Sequence, residues 1–376
     1  MTPSFSPLSL TRKLIAFNTI NPPGNERECA LFIGRLLENG GFNVDYHDFA
    51  DGRTSLIARK IYNDLRPPLC FTGHLDTVPL GMGKWHRDAF GGELDGDRLY
   101  GRGASDMKSG VAAIILAGLR IASLSQGSSG IALVLTSGEE NGCEGAEFLA
   151  SKGGVLGSAG ALVVGEPTAN YPMIGHKGAF WLEAEASGVT AHGSMPEQGV
   201  NAIYKAARAI VRLESFDFGT VPHPVLGVPT LNIGTISGGI NVNSVPDRAV
   251  FSIDMRTIPT QNCHQIYEAL QACIGNGIAL HKKITAPAVV SDPENQWVRD
   301  VFGVMASYIG EQPVPRGVTY FTDASALTSA FGDIPTIILG PGEPDMAHKT
   351  DEFCFLSKVD AAAEAYAEIG RNWCRL

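Results

Sequence analysis

Hydrophobic and polar positions follow two textures along the chain. From residue 10 to about 172, short apolar runs alternate with stretches of helical period. The runs Leu69 to Thr72, Ile131 to Thr136 and Ala161 to Val164 have strand length, whereas Cys29 to Asn39 and roughly Met107 to Ser123 repeat with a helical period. Gly40 and Gly41 mark the end of the first of these helices. Apolar runs without polar alternation predict strands buried on both faces, and so an α/β domain with a largely parallel sheet and helices on both faces. Between about 176 and 288 the pattern changes to period two, as in Trp181-Leu182-Glu183-Ala184-Glu185 and Phe251-Ser252-Ile253-Asp254-Met255. Strand 179–187, helix 202–213, strand 230–236, strand 248–256, helix 263–274 and strand 279–286 then spell β-α-β-β-α-β, a ferredoxin-like α+β unit. After 288 the first texture returns, with a helix near Gln296 to Ile309 and a strand Thr336 to Leu339. The expected organisation is an α/β domain in two parts, 1–175 and 289–376, with a smaller domain, 176–288, inserted into it.

Charge and cysteine content narrow the partners. With 39 acidic against 29 basic residues the net charge is −10, and no basic block interrupts the chain. Nucleic acid and anionic membrane surfaces are disfavoured, and a small ligand is favoured. The first 30 residues lack a signal-peptide pattern and no window approaches a membrane span, so a soluble cytoplasmic protein is expected. The seven cysteines, at 29, 70, 143, 263, 273, 354 and 374, contain no CxxC pair and read as reduced thiols. A metal here has to use histidine and carboxylates.

Ligands of open α/β sheets bind beyond the carboxyl ends of the strands. Leu69 to Gly73 delivers His74 and Asp76, Ile131 to Thr136 delivers Glu139 and Glu140, Ala161 to Val164 delivers Glu166, and Thr336 to Leu339 leads to His348. Asp106 adds a carboxylate after Gly101-Arg102-Gly103. So many acids on one rim repel one another unless cations offset them, and two divalent metals meet that demand. Nitrogen and oxygen donors suit zinc, with cobalt or manganese as substitutes. Asp106 is the expected bridge between the two ions. In the His74-x-Asp76 step both side chains face one way, so Asp76 is expected to accept the second ring N–H of His74. Glu140 is assigned to metal and Glu139 to proton transfer. Singly, each residue has an ordinary use: Asp106 as a helix cap, the Glu pair at a helix start, His74 as a satisfied strand-end histidine, His348 as a solvated loop residue. Four strand ends each delivering a histidine or an acid have no such ordinary explanation.

At these residues the chain resembles the two-zinc amidohydrolase and peptidase family of acetylornithine deacetylase, succinyl-diaminopimelate desuccinylase, glutamate carboxypeptidase and aminoacylase. The matching segments are GHLDTVP (73–79), GRGASDMKSG (101–110), SGEENG (137–142), GEPT (165–168), TAHGSMPEQGVNAI (190–203) and PGEPDMAHKTDE (341–352). The resemblance implies that His74, Asp106 and Glu166 hold one metal and Asp106, Glu140 and His348 the other, with Asp76 the supporting acid and Glu139 the general base. It also implies that the inserted domain is a lid that forms a homodimer, that His192 reaches the partner's active site to steady the developing oxyanion, and that Arg256 with Asn243 binds a substrate carboxylate. A cis peptide from Asp106 to Met107 is expected on the same ground. Glu166 leans toward the deacylase and carboxypeptidase branch, and Asp106 in place of a cysteine disfavours the aromatic-conjugate hydrolases. YFTDASAL (320–327) departs from the Thr-Ser-Asp-Gly pattern of true desuccinylases, leaving Asp323 and Ser325 as either pocket or helix-capping residues. The expected function is hydrolysis of the linear amide of a small N-acyl amino acid. The alternatives are a carboxypeptidase or dipeptidase on the same scaffold, and a non-catalytic, metal-stabilised binding dimer.

Overall fold

The computed structural model describes residues 5–63, 65–124 and 127–375. In chain order its first part carries α1 (Pro7–Ile15), α2 (Arg27–Asn39), β1 (Asn43–Ala50), β2 (Arg53–Ile61), β3 (Leu69–His74), α3 (Lys108–Ala122), β4 (Gly130–Thr136), α4 (Glu144–Ser151) and β5 (Ala161–Val164). The chain then forms β6 (Gly178–Ser187), α5 (Ala202–Glu214), β7 (Thr230–Gly238), β8 (Arg248–Thr257), α6 (Cys263–Ile274) and β9 (Ile278–Ala286). It ends with α7 (Gln296–Ile309), α8 (Ala324–Ala330), β10 (Thr336–Ile338) and α9 (Leu356–Cys374). Two compact units result. One comprises the chain up to Gly175, Val290–Gly317 and the chain from Thr322 onward; the other comprises His176–Val289 and Val318–Phe321.

The first unit is built on a six-stranded sheet in the order β1-β2-β4-β3-β5-β10. Strands β4, β3, β5 and β10 run parallel, while β1 and β2 form an antiparallel hairpin at one edge. Every residue of β3, β4 and β5 is buried, as their unbroken apolar runs require. The hairpin is absent from the sequence expectation because β1 is nowhere buried and shows no apolar run. Its signal is the Asp51-Gly52 turn, with Gly52 at φ 72°. The crossover from β3 to β4 moves one way along the sheet and the crossover from β4 to β5 moves back. Right-handed crossovers therefore put α3 and α4 on opposite faces, in keeping with α3 packing on α9 and α4 on α8. Helix α3 is apolar nearly all round and buried along most of its length.

The second unit is an antiparallel sheet in the order β7-β8-β6-β9. Phe180, Leu182, Phe251, Ile253 and Met255 point from it onto Ala206, Ala209 and Leu213 of α5 and Leu270 of α6. Helices α5, α6 and α7 start at Asn201, Asn262 and Asn295, whose side chains accept backbone N–H groups of the first turn. The segment Val318–Phe321 lies with this unit rather than with the chain around it. Val318 forms a parallel bridge with His176, and the Phe321 ring meets Trp181 edge-on at 5.8 Å. That differs from the expected placement of all of 289–376 in the larger domain; a short return segment without periodicity carries no pattern that reveals its partner. Among the described residues no helix is long and apolar enough to cross a membrane, and all seven cysteines are free.

Candidate metal centre

Opposed crossovers leave a crevice between the carboxyl ends of β3 and β4, the place where such sheets bind ligands. β3 ends at His74, the turn after β4 carries Glu139 and Glu140, Glu166 lies two residues beyond β5, and His348 sits in the loop after β10. Asp106 precedes α3, and its peptide bond to Met107 is cis. Backbone meets backbone beneath these residues. A Cβ on Gly110 would lie 2.1 Å from the carbonyl oxygen of Gly165, and one on Gly340 would lie 2.2 Å from the same atom. Only glycine lets the first turn of α3, the end of β5 and the loop after β10 approach so closely.

Asp106 stands between two imidazoles. Its Oδ1 is 3.0 Å from His74 Nε2 and its Oδ2 is 3.3 Å from His348 Nε2. Glu166 Oε1 lies 3.7 Å from His74 Nε2, and Glu140 Oε2 lies 3.1 Å from His348 Nε2. Two donor sets therefore share one carboxylate: His74, Asp106 and Glu166 on one side, Asp106, Glu140 and His348 on the other. Ligand atoms of His74, Asp106 and Glu140 all lie within 4.8 Å of one another, and so do those of His74, Glu139 and Glu166. Glu139 is thus also within reach of the first set.

Burial, then the charge of Glu166, raises the Glu139 carboxyl well above the ordinary range. Glu166 is raised by burial and then Asp106, and Glu140 by the same two causes. Hydrogen bonds to Asp106 and Glu140 lift His348 to about 10. Burial opposes the charge on His74, but its bonds to Asp106 and Asp76 prevail and hold its pKa well above the usual value. The cluster by itself thus retains protons to limit repulsion. Glu140 Oε1 is buried without a hydrogen-bond partner. An uncompensated carboxylate oxygen beside two imidazoles and three further acids is a donor set that a cation completes.

Asp76 faces the His74 ring through both its backbone and its side chain. The ring nitrogen Nδ1 of His74 is 3.0 Å from the backbone oxygen of Asp76, whereas the nearest Asp76 carboxylate oxygen is 3.5 Å away. The carboxylate also accepts the backbone N–H groups of Glu139 and Glu140, each at 3.1 Å, and the Asn21 side-chain amide at 2.9 Å. Two residues past the strand end, the backbone carbonyl has turned toward the ring, and the carboxylate ties the β3 loop to the β4 loop. Asn21 is a residue that the sequence pattern did not single out; its signal was only an Asn before two prolines. Cys143 and Asp323 lie near Glu139. The Cys143 thiol is 3.9 Å from Glu139 Oε1, Thr136 donates its hydroxyl to Asp323, and burial pushes Asp323 up to about 6. Asp323 makes no capping hydrogen bond to α8.

The remaining expected residues lie in the second unit. His192 is exposed, and its Nδ1 accepts the Ser194 backbone N–H at 3.2 Å. Asn243 is exposed, and its carbonyl accepts the Gly193 N–H at 2.7 Å. Arg256 pairs with Asp254 at 3.0 Å and stacks near Trp181 and Phe321, so its guanidinium is engaged rather than bare.

Comparison with known proteins follows the same line. Residues 70–372 match the model of peptidase family M20/M25/M40. The chain is 30% identical over 391 residues to an acetylornithine deacetylase of Edwardsiella ictaluri, covering 99% of this chain and 98% of that one. It is 29% identical over 383 residues to a probable succinyl-diaminopimelate desuccinylase of Staphylococcus epidermidis, covering 91% and 93%. An M20 family metallo-carboxypeptidase of Sulfolobus solfataricus shares the fold with a TM-score of 0.82 at 18% identity, over 99% of this chain and 100% of that one. With the match spanning well over half of the sequence, the chain belongs to peptidase family M20/M25/M40.

Proposed function

We propose that the protein is a two-metal hydrolase that cleaves the linear amide of an N-acylated amino acid. The observation that carries the reading is the Asp106 carboxylate, which turns one oxygen to His74 and the other to His348. His74, Asp106 and Glu166 would hold one ion, and Asp106, Glu140 and His348 the other, with zinc favoured by the donors and cobalt or manganese as substitutes. When bound, the ions supply Lewis acidity that polarises the amide carbonyl and acidifies water.

The chain's own groups handle the protons. Glu139, its carboxyl raised by burial and Glu166, is suited to take a proton from the attacking water and return it to the leaving amine. Asp76 fixes the backbone of Glu139 and Glu140. His192 Nδ1 is engaged by Ser194, at 3.2 Å from its backbone N–H and 2.7 Å from its hydroxyl. That leaves Nε2 as the donor to an oxyanion. Arg256 and Asn243 would receive the substrate carboxylate, with Arg256 exchanging part of its pairing to Asp254 for the ligand.

Relatives named as deacetylase and desuccinylase support a deacylase over a peptidase. We further read a cytoplasmic homodimer formed through the inserted unit. Seven free thiols suit a reducing compartment. Edge strand β7 exposes Ile236, and the neighbouring α5 exposes Tyr204 and Val211. The test is hydrolysis of a panel holding N-acetyl-ornithine, N-succinyl-diaminopimelate, acyl-glutamates and dipeptides, with zinc or cobalt added. Turnover of acyl amino acids is expected. Preference for dipeptides would transfer the protein to the carboxypeptidase or dipeptidase reading, and binding without turnover would leave only a metal-stabilised binding dimer.

A further inference from the structure

Glu352, four residues beyond His348, is wholly buried, yet it takes no part in the cluster of imidazoles and acids. Both of its oxygens are occupied. Oε1 accepts the backbone N–H of Ser105 at 2.7 Å and of Asp106 at 2.9 Å. Oε2 accepts the backbone N–H of Gly103 at 3.1 Å and Nη1 of Arg102 at 2.5 Å. Arg102 is 1% exposed; its Nη1 also reaches the carbonyl of Lys349 at 3.2 Å and its Nη2 that of Pro79 at 3.0 Å, while Nε is buried without a partner. Gly101 in turn donates to the Glu352 carbonyl at 2.9 Å. Beside this knot the short strand Phe353–Phe355 pairs antiparallel with Arg98–Tyr100.

The arrangement joins two segments that are far apart in sequence. Residues 101–106 lie in neither helix nor strand, so their backbone N–H groups have no ladder to satisfy them. One carboxylate satisfies three of these donors and is itself held by a guanidinium that also grips the loop of His348. A carboxylate facing three convergent backbone donors fixes a turn far more tightly than any single hydrogen bond, and buried charge-assisted bonds are the strong ones. We propose that Glu352, with Arg102, is a positioning residue that sets the separation of Asp106 and His348 before any metal arrives. The proposal rests on the reading of Asp106 and His348 as metal ligands.

Zinc affinity in the double variant R102M/E352Q tests it. Removing both charges together leaves no bare ion inside the protein. Glutamine, however, turns an N–H toward the backbone donors and cannot hold all three. The expected result is a folded protein, by circular dichroism and melting temperature, whose zinc dissociation constant, measured by competition with a chromogenic chelator, is raised about 10- to 100-fold. Wild-type affinity in the folded variant would overturn the proposal. A measurement on the wild type keeps the question independent of how the variant folds. Amide hydrogen exchange at Ser105 and Asp106 in the metal-free protein is expected to be slow, and exchange at open-loop rates until zinc is added would equally overturn it. Failure of the underlying ligand reading has its own signature: wild-type protein that takes up fewer than two zinc ions per chain.

Discussion

Glu139 is 6% exposed, and burial followed by the charge of Glu166 raises its carboxyl well above the ordinary range. In a Glu139→Ala variant turnover is expected to fall by at least ~10²-fold, the usual worth of a positioned proton-transfer group, while elemental analysis still finds two metals per chain. Loss of metal along with activity would make Glu139 a ligand instead. The same raised carboxyls, with His348 lifted to about 10, predict that metal uptake expels protons. Sign follows from direction: these groups hold protons at a pH where free carboxylates and imidazoles do not, so cations must displace them and apparent affinity falls as pH drops. Calorimetric titration of zinc in buffers of different ionisation enthalpy checks this, and heats independent of buffer would contradict it. His176 has the opposite behaviour and bears on stability. Buried, with Nε2 unpartnered, it is lowered from 6.5 to about 4. The folded form therefore stays neutral where the unfolded chain has already taken up a proton. Stability present above pH ~6.5 is lost as pH falls toward ~4, by about 3 kcal/mol in total. Denaturant titrations of wild type and His176→Leu should show the acid-side loss shrinking in the variant.

Elements carry the site through their ends. Asp76, past the end of β3, holds the first residues past β4, and Asp76→Ala would leave the Glu139 and Glu140 backbone N–H groups without their acceptor. Each such buried donor costs ~1–3 kcal/mol, which urea unfolding would register. Gly110→Ala would thrust a methyl group at a backbone oxygen 2.1 Å from its Cβ. A backbone obstacle cannot rotate away, so a loss near the upper end of the ~1–3 kcal/mol for overpacking is expected, visible as a lower melting temperature. The strands that present these residues were legible because burial on both faces demands unbroken apolar runs, as in β4 and β5. Helix α9 was not legible. Its buried stripe, with Val359, Ala362, Ala363, Tyr366 and Gly370, packs on α3 but is built mostly of small residues, whose hydrophobic signal is weak. The strand-end residues His74, Glu139, Glu140 and Glu166 could be picked out because strand ends are where side chains of this chemistry have no packing role. Asn21, Arg102 and Glu352 were invisible for the converse reason: a buried polar residue that serves backbone groups of a distant loop shows neither period nor spacing.

At the scale of the whole molecule, the five ligand candidates and Glu139 all belong to the first unit, whereas His192, Asn243 and Arg256 belong to the second. The proposed homodimer uses that second unit, and Ile236→Lys on its edge strand is expected to halve the mass seen by light scattering in solution. An unchanged mass would place the contact elsewhere. The division of labour has an evolutionary corollary. In the proposed reading the metal ligands and Glu139 lie on one unit and the carboxylate-binding Arg256 and Asn243, with His192, on the other, so substrate range can drift without disturbing the metal ligands. A chimera taking residues 176–289 together with 318–321 from a relative should inherit the donor's ranking of substrates and keep the host's metal stoichiometry. Grafting 176–289 alone would strand four residues among foreign neighbours.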